Sequence, residues 1–171
     1  MATAKQINDL EKRISAAKRQ KIAIEGRDDF LKFVKFTMPD PEDFDNTEMS
    51  IFKDAKHHRA LAKVLEKVEK GHIPRLIVCM PPRHGKSELI SRRFIPWLVG
   101  KDNYRNIIFA TYNEDFAKDF GADCRAIMTS PQYKHVFPHH SLIVHNHDGF
   151  QHHYYHFILT HHYFASCPRG L

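Results

Sequence analysis

The chain has 171 residues, of which 42% are hydrophobic, so one domain with a sizeable core is the expected organisation. Its 26 Lys and Arg residues against 20 Asp and Glu residues leave a net charge of +6, which favours a polyanionic partner such as DNA and is equally typical of simple solubility. The N-terminus lacks the apolar core of a signal peptide, and no stretch approaches the roughly 18 apolar residues that cross a bilayer. The composition therefore excludes a membrane-spanning protein, and we expect a soluble, cytoplasmic one.

The cysteines indicate a reducing compartment. Cys79, Cys124 and Cys167 are odd in number, far apart and without the spacing of metal ligands. They are typical of reduced thiols in a cytosolic protein, and no disulfide scaffold is predicted.

Two helices are predicted near the N-terminus. Four apolar residues recur at heptad spacing in the charged segment 1–27, namely Ile7, Leu10, Ile14 and Ala17. A partner helix or a DNA backbone contact would explain this stripe, and so would a solvated helix packed lightly on the domain. Residues 28–50 are predicted to form a short amphipathic helix, stopped by Pro39, and an acidic linker.

Predicted helices and strands alternate from residue 51 onward. A helix is expected over residues 51–70, and the apolar run 75–80, bounded by a proline on each side, is typical of a buried parallel strand. A helix over residues 87–94, a second apolar run at 106–111 and a further helix follow. This order predicts an α/β fold, a parallel sheet with flanking helices that the N-terminal helices precede.

The composition changes abruptly near the C-terminus. Residues 139–171 hold nine of the 14 histidines, no Lys or Glu and one Asp, and they sustain neither strand nor helix periodicity. Neighbouring imidazoles, such as His145 with His147 or His152 with His153, would allow a metal site, although no Cys or carboxylate framework surrounds them. Translation in a shifted reading frame is the leading explanation of this His-rich tail.

Residues 80–87, MPPRHGKS, connect the first predicted strand to the next helix. They match the phosphate-binding pattern GxxxxGK[ST], a Walker A-type loop, except that Met80 replaces its first glycine. Main-chain N–H groups and a helix N-terminus bind phosphate oxygens in such loops. Lys86 is predicted to contact the β- and γ-phosphates and Ser87 to coordinate the bridging Mg²⁺, while Gly85 lets the backbone approach.

Arg83 lies inside the same loop. It would stabilise charge that develops during phosphoryl transfer, as an arginine supplied in cis does in some nucleotide hydrolases, or it would point to solvent. Lys86 and Arg83 are the predicted catalytic residues, and ATP and Mg²⁺ are the predicted cofactors. The residues predicted to contact the nucleotide are Pro82, Arg83, His84, Gly85, Lys86, Ser87 and Glu88.

Features on both sides of the loop extend the pattern. They are the Phe-rich run Phe30–Phe36, the pair His57 and His58, residues 75–91, Trp97, residues 110–133 and residues 136–138. Together they resemble the N-terminal ATPase region of the large terminase subunit of tailed bacteriophages, a DNA-packaging motor. The resemblance implies a partial P-loop NTPase sheet of the RecA/ASCE type over residues 51–138. It also implies that His58 lies near the adenine and that residues 111–113 couple nucleotide state to DNA.

The same resemblance implies partners and a location. The partners would be double-stranded viral DNA, the small terminase subunit and the portal protein, with a homo-oligomeric ring in the full-length family. The location would be the cytoplasm of a bacterial host, at the procapsid portal.

The acids that hydrolysis requires are not apparent in the sequence. ATP hydrolysis needs an apolar strand that ends in acidic residues, and none follows Lys86; the family's nuclease is missing too. We therefore expect a chain truncated or frameshifted after about residue 138 that binds nucleotide weakly without turnover. A stand-alone nucleotide- or DNA-binding module with a metal-binding tail is an alternative, and a different P-loop enzyme, such as a small kinase, is a third.

Overall fold

The computed structural model describes residues 4–42, 50–102, 105, 107–111 and 113–140. Its regular elements in these ranges are helices: α1 (Ala4–Gly26), α2 (Phe30–Phe36), α3 (Lys56–Glu69), a π-helical segment (Glu88–Phe94), α4 (Ile95–Lys101), α5 (Glu114–Thr129) and α6 (Pro131–Val136). A lone antiparallel bridge joins Pro39 to Ser50. Among the described helices, none is long and apolar enough to cross a membrane.

The predicted helices form where apolar residues recur at helical spacing. Helix α2 begins after Asp29, whose side chain accepts a hydrogen bond from the Lys32 N–H at 2.9 Å, as an N-cap should. Helix α3 buries Leu61 and Leu65 and ends just before Gly71, which adopts the left-handed conformation typical of a C-terminal cap. Local sequence signals therefore decide both helices.

Helix α1 joins the core mainly through its C-terminal part. Ala23 is buried there, whereas Ile7, Leu10 and Ile14 are each about half exposed. None of the helices described covers this stripe, so the lightly packed solvated helix agrees with the structure.

Aromatic side chains from several helices form the centre of the core. The rings of Phe30 and Trp97 lie 5.3 Å apart, and Trp97 Nε1 donates a hydrogen bond to the Gly26 carbonyl at 2.9 Å. The Tyr133 hydroxyl donates to the Pro96 carbonyl, also at 2.9 Å. Because both polar tips have main-chain partners, the large rings are buried without an unsatisfied donor.

The predicted α/β fold is wrong for the part of the chain that the structure describes. Residues 75–80 and 107–111 are irregular and form no sheet. Ile77 is 90% exposed and Ile108 is 69% exposed, whereas a parallel strand is covered on both faces. An apolar run becomes such a strand only where neighbouring strands accept its N–H and C=O bonds, and these two runs have no such neighbours here. The expected RecA/ASCE-like sheet over residues 51–138 is therefore replaced by helix-on-helix packing.

Candidate phosphate-binding site

The main chain of residues 80–88 turns sharply before a helix begins. Arg83 has a φ of 63° and Gly85 a φ of 78°, both in the left-handed region. Glycine adopts this region readily, whereas a residue with a side chain is destabilised there by roughly 1–2 kcal/mol. Backbone strain of this kind clusters at ligand-binding sites. The loop motif predicted the glycine, but nothing in the sequence marked Arg83 as left-handed.

Helical hydrogen bonding starts directly after this turn. The Leu89 N–H donates to the Gly85 carbonyl at 3.0 Å, so the N–H groups of residues 86–88 precede the first bond of the helix and have no acceptor within it. The π-helical segment and α4 then continue the helix to Lys101. N–H groups at such an end carry partial positive charge and attract anions.

The side chains predicted to contact phosphate lie at this helix start. Arg83, Lys86 and Ser87 are all exposed, as is Pro82. Within the described part of the chain, neither cation forms an ion pair, and the Ser87 hydroxyl makes no capping bond to the helix. Two positive charges and one hydroxyl are thus available to a ligand at the loop.

His58 contacts the loop from helix α3. Its Nδ1 accepts a hydrogen bond from the Ala55 N–H at 3.1 Å, and its Nε2 lies 3.0 Å from the His84 carbonyl oxygen. The ring also packs on Phe52, with centroids 5.1 Å apart. Both ring nitrogens of His58 therefore bind main-chain groups, and the ring lies beside the loop itself; its proposed proximity to adenine stays a prediction.

Three imidazoles gather around this contact. The rings of His57 and His58 have centroids 4.0 Å apart, and those of His57 and His84 lie 5.8 Å apart. His84 Nδ1 lies 2.8 Å from the Pro82 carbonyl oxygen. In the ranges described, no group of three or more His, Cys, Asp or Glu side chains could hold a metal ion, so this cluster is not a metal site.

Glu88 forms ion pairs with two neighbouring arginines. Its carboxylate accepts from Arg93 Nε at 2.7 Å and lies 3.5 Å from an Arg92 terminal nitrogen. Arg92 Nε also donates to Asp123 on α5 at 2.5 Å, and this bond raises the pKa of the Arg92 guanidinium. The predicted nucleotide contact of Glu88 stays a prediction. Its observed contacts lie within the π-helical segment, and the pair of Arg92 with Asp123 links that segment to α5.

Asp54 anchors the start of α3, and with it His58. Its largely buried carboxylate pairs with Lys35 of α2 and with Arg59 of α3. The hydrogen bonds from Lys35 and then Arg59 lower the pKa of Asp54 to about 2. Asp54 was not among the residues predicted from the sequence, although an acidic residue just before a helix is a common signal at N-termini.

Other predicted residues lie away from the loop or outside the described ranges. Asn113 caps α5 by accepting a hydrogen bond from the Asp115 N–H at 2.8 Å, and Thr111 precedes it in an irregular segment. Tyr112 and the histidines at 145, 147, 152 and 153 are not among the described residues. The predicted coupling of nucleotide state to DNA through residues 111–113 stays a prediction.

Two cysteines in the described part are free thiols. Cys79 is exposed beside the loop, and Cys124 is buried. Burial raises the pKa of the Cys124 thiol to about 12, which keeps it protonated and unreactive. Cys167 lies outside the described residues.

Comparison with known proteins identifies no relative of this chain. No protein-family model matches the chain, and no curated protein and no solved structure is significantly similar to it. Function therefore has to be argued from the geometry and chemistry of residues 80–88.

Proposed function

We propose that residues 80–88 bind the phosphates of Mg–ATP and that the chain is a fragment that resembles the ATPase of a viral DNA-packaging large terminase and binds ATP without hydrolysing it. The observation that supports this most is the main chain of the loop. Left-handed residues at Arg83 and Gly85 lead into a helix start whose first N–H groups lack helical acceptors. Such a turn followed by a helix N-terminus is the arrangement that binds concentrated negative charge.

Three side chains of the loop would make the remaining contacts with Mg–ATP. Lys86 would place a point charge beside the β- and γ-phosphates, and the Ser87 hydroxyl would hold the Mg²⁺ that neutralises phosphate charge. Arg83, exposed on the same turn, neutralises charge on the terminal phosphate. Mg²⁺ prefers oxygen ligands and retains several waters, so one hydroxyl plus phosphate oxygens is a suitable set.

The proposal includes weak binding without turnover. Glu88, the one carboxylate of the loop region, is paired with Arg92 and Arg93 and is not available to polarise water. With no sheet beneath the loop in the described part of the chain, a dissociation constant on the order of 1 mM, about −4 kcal/mol, is expected for Mg–ATP.

Double-stranded viral DNA is the proposed macromolecular partner. The charge of +6 is a modest but favourable term, and α1 displays exposed basic side chains along its length, at Lys12, Arg13, Lys18 and Lys21. Contacts with a small terminase subunit, a portal protein and a homo-oligomeric ring belong to the same proposal.

The test is a calorimetric titration of the whole chain with Mg–ATP. We expect one site, and we expect Lys86→Ala to weaken binding about tenfold because a charge-assisted contact to phosphate is lost. Lys63→Ala is the matched control, since Lys63 is an exposed lysine on α3 remote in sequence from the loop. Equal affinities for wild type and Lys86→Ala would refute the proposal.

Hydrolysis is tested separately by phosphate release. We expect no activity above background. A rate that disappears in Lys86→Ala would contradict the proposal that this chain binds ATP without turning it over.

A stand-alone nucleotide- or DNA-binding module is the second candidate. The helical packing of the described residues favours it, because the sheet expected of a packaging ATPase is not formed there. Stoichiometric, tight Zn²⁺ binding that is lost when the histidines of residues 139–171 are replaced would support this module. Failure of the chain to bind Zn²⁺ or Ni²⁺ would contradict the hypothesis that the tail binds metal.

A further inference from the structure

The tautomer of His58 follows from its two main-chain partners. The Ala55 N–H can donate to Nδ1 only if that nitrogen carries a lone pair, so the proton of the neutral ring must be on Nε2. Nε2–H then donates to the His84 carbonyl, 3.0 Å away. One neutral imidazole thus closes the N-terminus of α3 and holds the loop 26 residues later.

This hydrogen bond orients a peptide plane of the loop. The described residues contain no cis peptide bond, so the C=O of each peptide points opposite to the N–H that follows it. Because the His84 carbonyl faces His58, the Gly85 N–H points away from His58, toward the other side of the loop. The contact of His84 Nδ1 with the Pro82 carbonyl orients the Arg83 N–H in the same manner.

Gly85 lets the ring approach this closely. A Cβ at position 85 would lie 2.8 Å from His58 Nε2, which is shorter than any ordinary contact. Two features therefore require glycine at position 85. One is its left-handed φ, and the other is the imidazole of His58 packed against it.

The position of His58 is itself fixed. Asp54 ties the start of α3 to α2 through Lys35, and Phe52 packs on the ring. In a P-loop that follows a strand, the sheet sets the position of the loop. Residues 75–80 form no strand; Val78 and Met80 pack against the core on one side of the loop, and His58 of α3 contacts the loop itself through the His84 carbonyl.

We infer that His58 is a positioning residue for phosphate binding: its Nε2–H holds the His84 carbonyl so that the Gly85 N–H is presented to a phosphate oxygen. This inference rests on the phosphate binding proposed above. His58 touches the loop and not the ligand, and its contribution is to fix the loop's shape before the ligand arrives.

The experiment compares His58→Phe, His58→Gln and His57→Phe in the full chain. Phenylalanine keeps the ring and loses both hydrogen bonds, whereas glutamine keeps one acceptor and one donor. His57→Phe is the matched control because His57 has ring contacts with His58 and His84 but makes no hydrogen bond to the loop in the described residues. The probes are Mg²⁺ with inorganic tripolyphosphate, titrated by calorimetry, and the Gly85 amide resonance of the ligand-free chain.

We expect His58→Phe to weaken tripolyphosphate binding roughly five- to tenfold and to shift the free Gly85 resonance, while His58→Gln and His57→Phe stay within about twofold of wild type. An unchanged Gly85 resonance and affinity in His58→Phe would overturn the inference. If that variant does not fold, imidazole ¹⁵N spectra of the wild type decide: an Nε2–H tautomer supports the inference, and an Nδ1–H tautomer overturns it. A wild type that binds no tripolyphosphate refutes the proposed function, whereas a Gly85 shift in His58→Phe would still establish the contact in the free chain.

Discussion

The aromatic core and the apolar run before the loop are both rich in apolar residues but differ in burial, since only Val78 and Met80 of the run pack against the core. Trp97 is fully buried among the rings of α2 and the π-helical segment, whereas Ile77, in the run 75–80, is 90% exposed. The core residues lie on helices whose apolar faces meet, and each polar tip finds a carbonyl. The run has no strand beside it in the described part of the chain. An apolar side chain is thus buried only where other helices or strands of the chain pack against it, and its apolar character alone does not ensure this.

The largest expected effect is the loss of a core ring. Trp97→Ala removes the ring packed on Phe30 and leaves a cavity, so the free energy of unfolding should fall by about 3–5 kcal/mol. Ile77→Ala, in the exposed run, should change it by less than about 0.5 kcal/mol. Urea denaturation of both variants measures the contrast, and comparable losses would mean that the Ile77 side chain is buried.

Two glycines should respond in opposite directions to the same substitution. Gly85→Ala introduces a Cβ at a left-handed φ and against His58, so we expect a loss of about 1–2 kcal/mol in unfolding free energy. Gly121→Ala adds a methyl to helix α5 in open space and should stabilise by about 0.5–1 kcal/mol. A stabilised Gly85→Ala variant would refute the left-handed loop.

The ion pairs of Asp54 should make stability depend on acid. The pKa of Asp54 is lowered in the folded chain from 3.8 to about 2, so its stabilisation is present above about pH 4 and is lost as the pH falls toward 2. Asp54→Asn should therefore destabilise by about 1–2 kcal/mol at pH 7 and by little near pH 2. A difference between the two proteins that is constant with pH would contradict this role, and urea denaturation at each pH measures it.

The smallest expected effect concerns α1 and DNA. Lys18→Ala removes one exposed charge, so affinity for double-stranded DNA should fall about two- to threefold at low salt, with the salt slope reduced by about one. Fluorescence anisotropy over a range of salt concentrations measures it. An Ile14→Ala variant, altered in the exposed apolar stripe, should bind as wild type does; a greater loss there would assign the stripe to the interface instead.

Local signals in the sequence were sufficient for helices such as α2 and α3 and for part of the site, whereas the continuation of the helix past Pro96 into α4 was not predicted. The N-cap at Asp29 and the helical spacing of Leu61 and Leu65 act within one or two turns of helix. Such signals can be recognised in the sequence without knowledge of the fold. The motif likewise indicated a glycine at position 85 that lets the backbone approach a phosphate, and the structure adds its left-handed φ.

Features that depend on distant partners were not predictable in this way. A run such as residues 75–80 becomes a strand only beside other strands, and nothing within the run states whether they exist. The contact of His58 with His84 joins residues 26 positions apart, and Asp54 joins two helices. Each needs the three-dimensional path of the chain.

The central claim is that residues 80–88 form the phosphate-binding surface, and amide NMR of the uniformly ¹⁵N-labelled chain during a titration with Mg–ATP tests it most directly. We predict that the resonances of Gly85, Lys86 and Ser87 move together and saturate, and that Lys86→Ala reduces the apparent affinity about tenfold. No movement in these resonances at saturating nucleotide, or movement confined to residues outside 80–88, would contradict the claim.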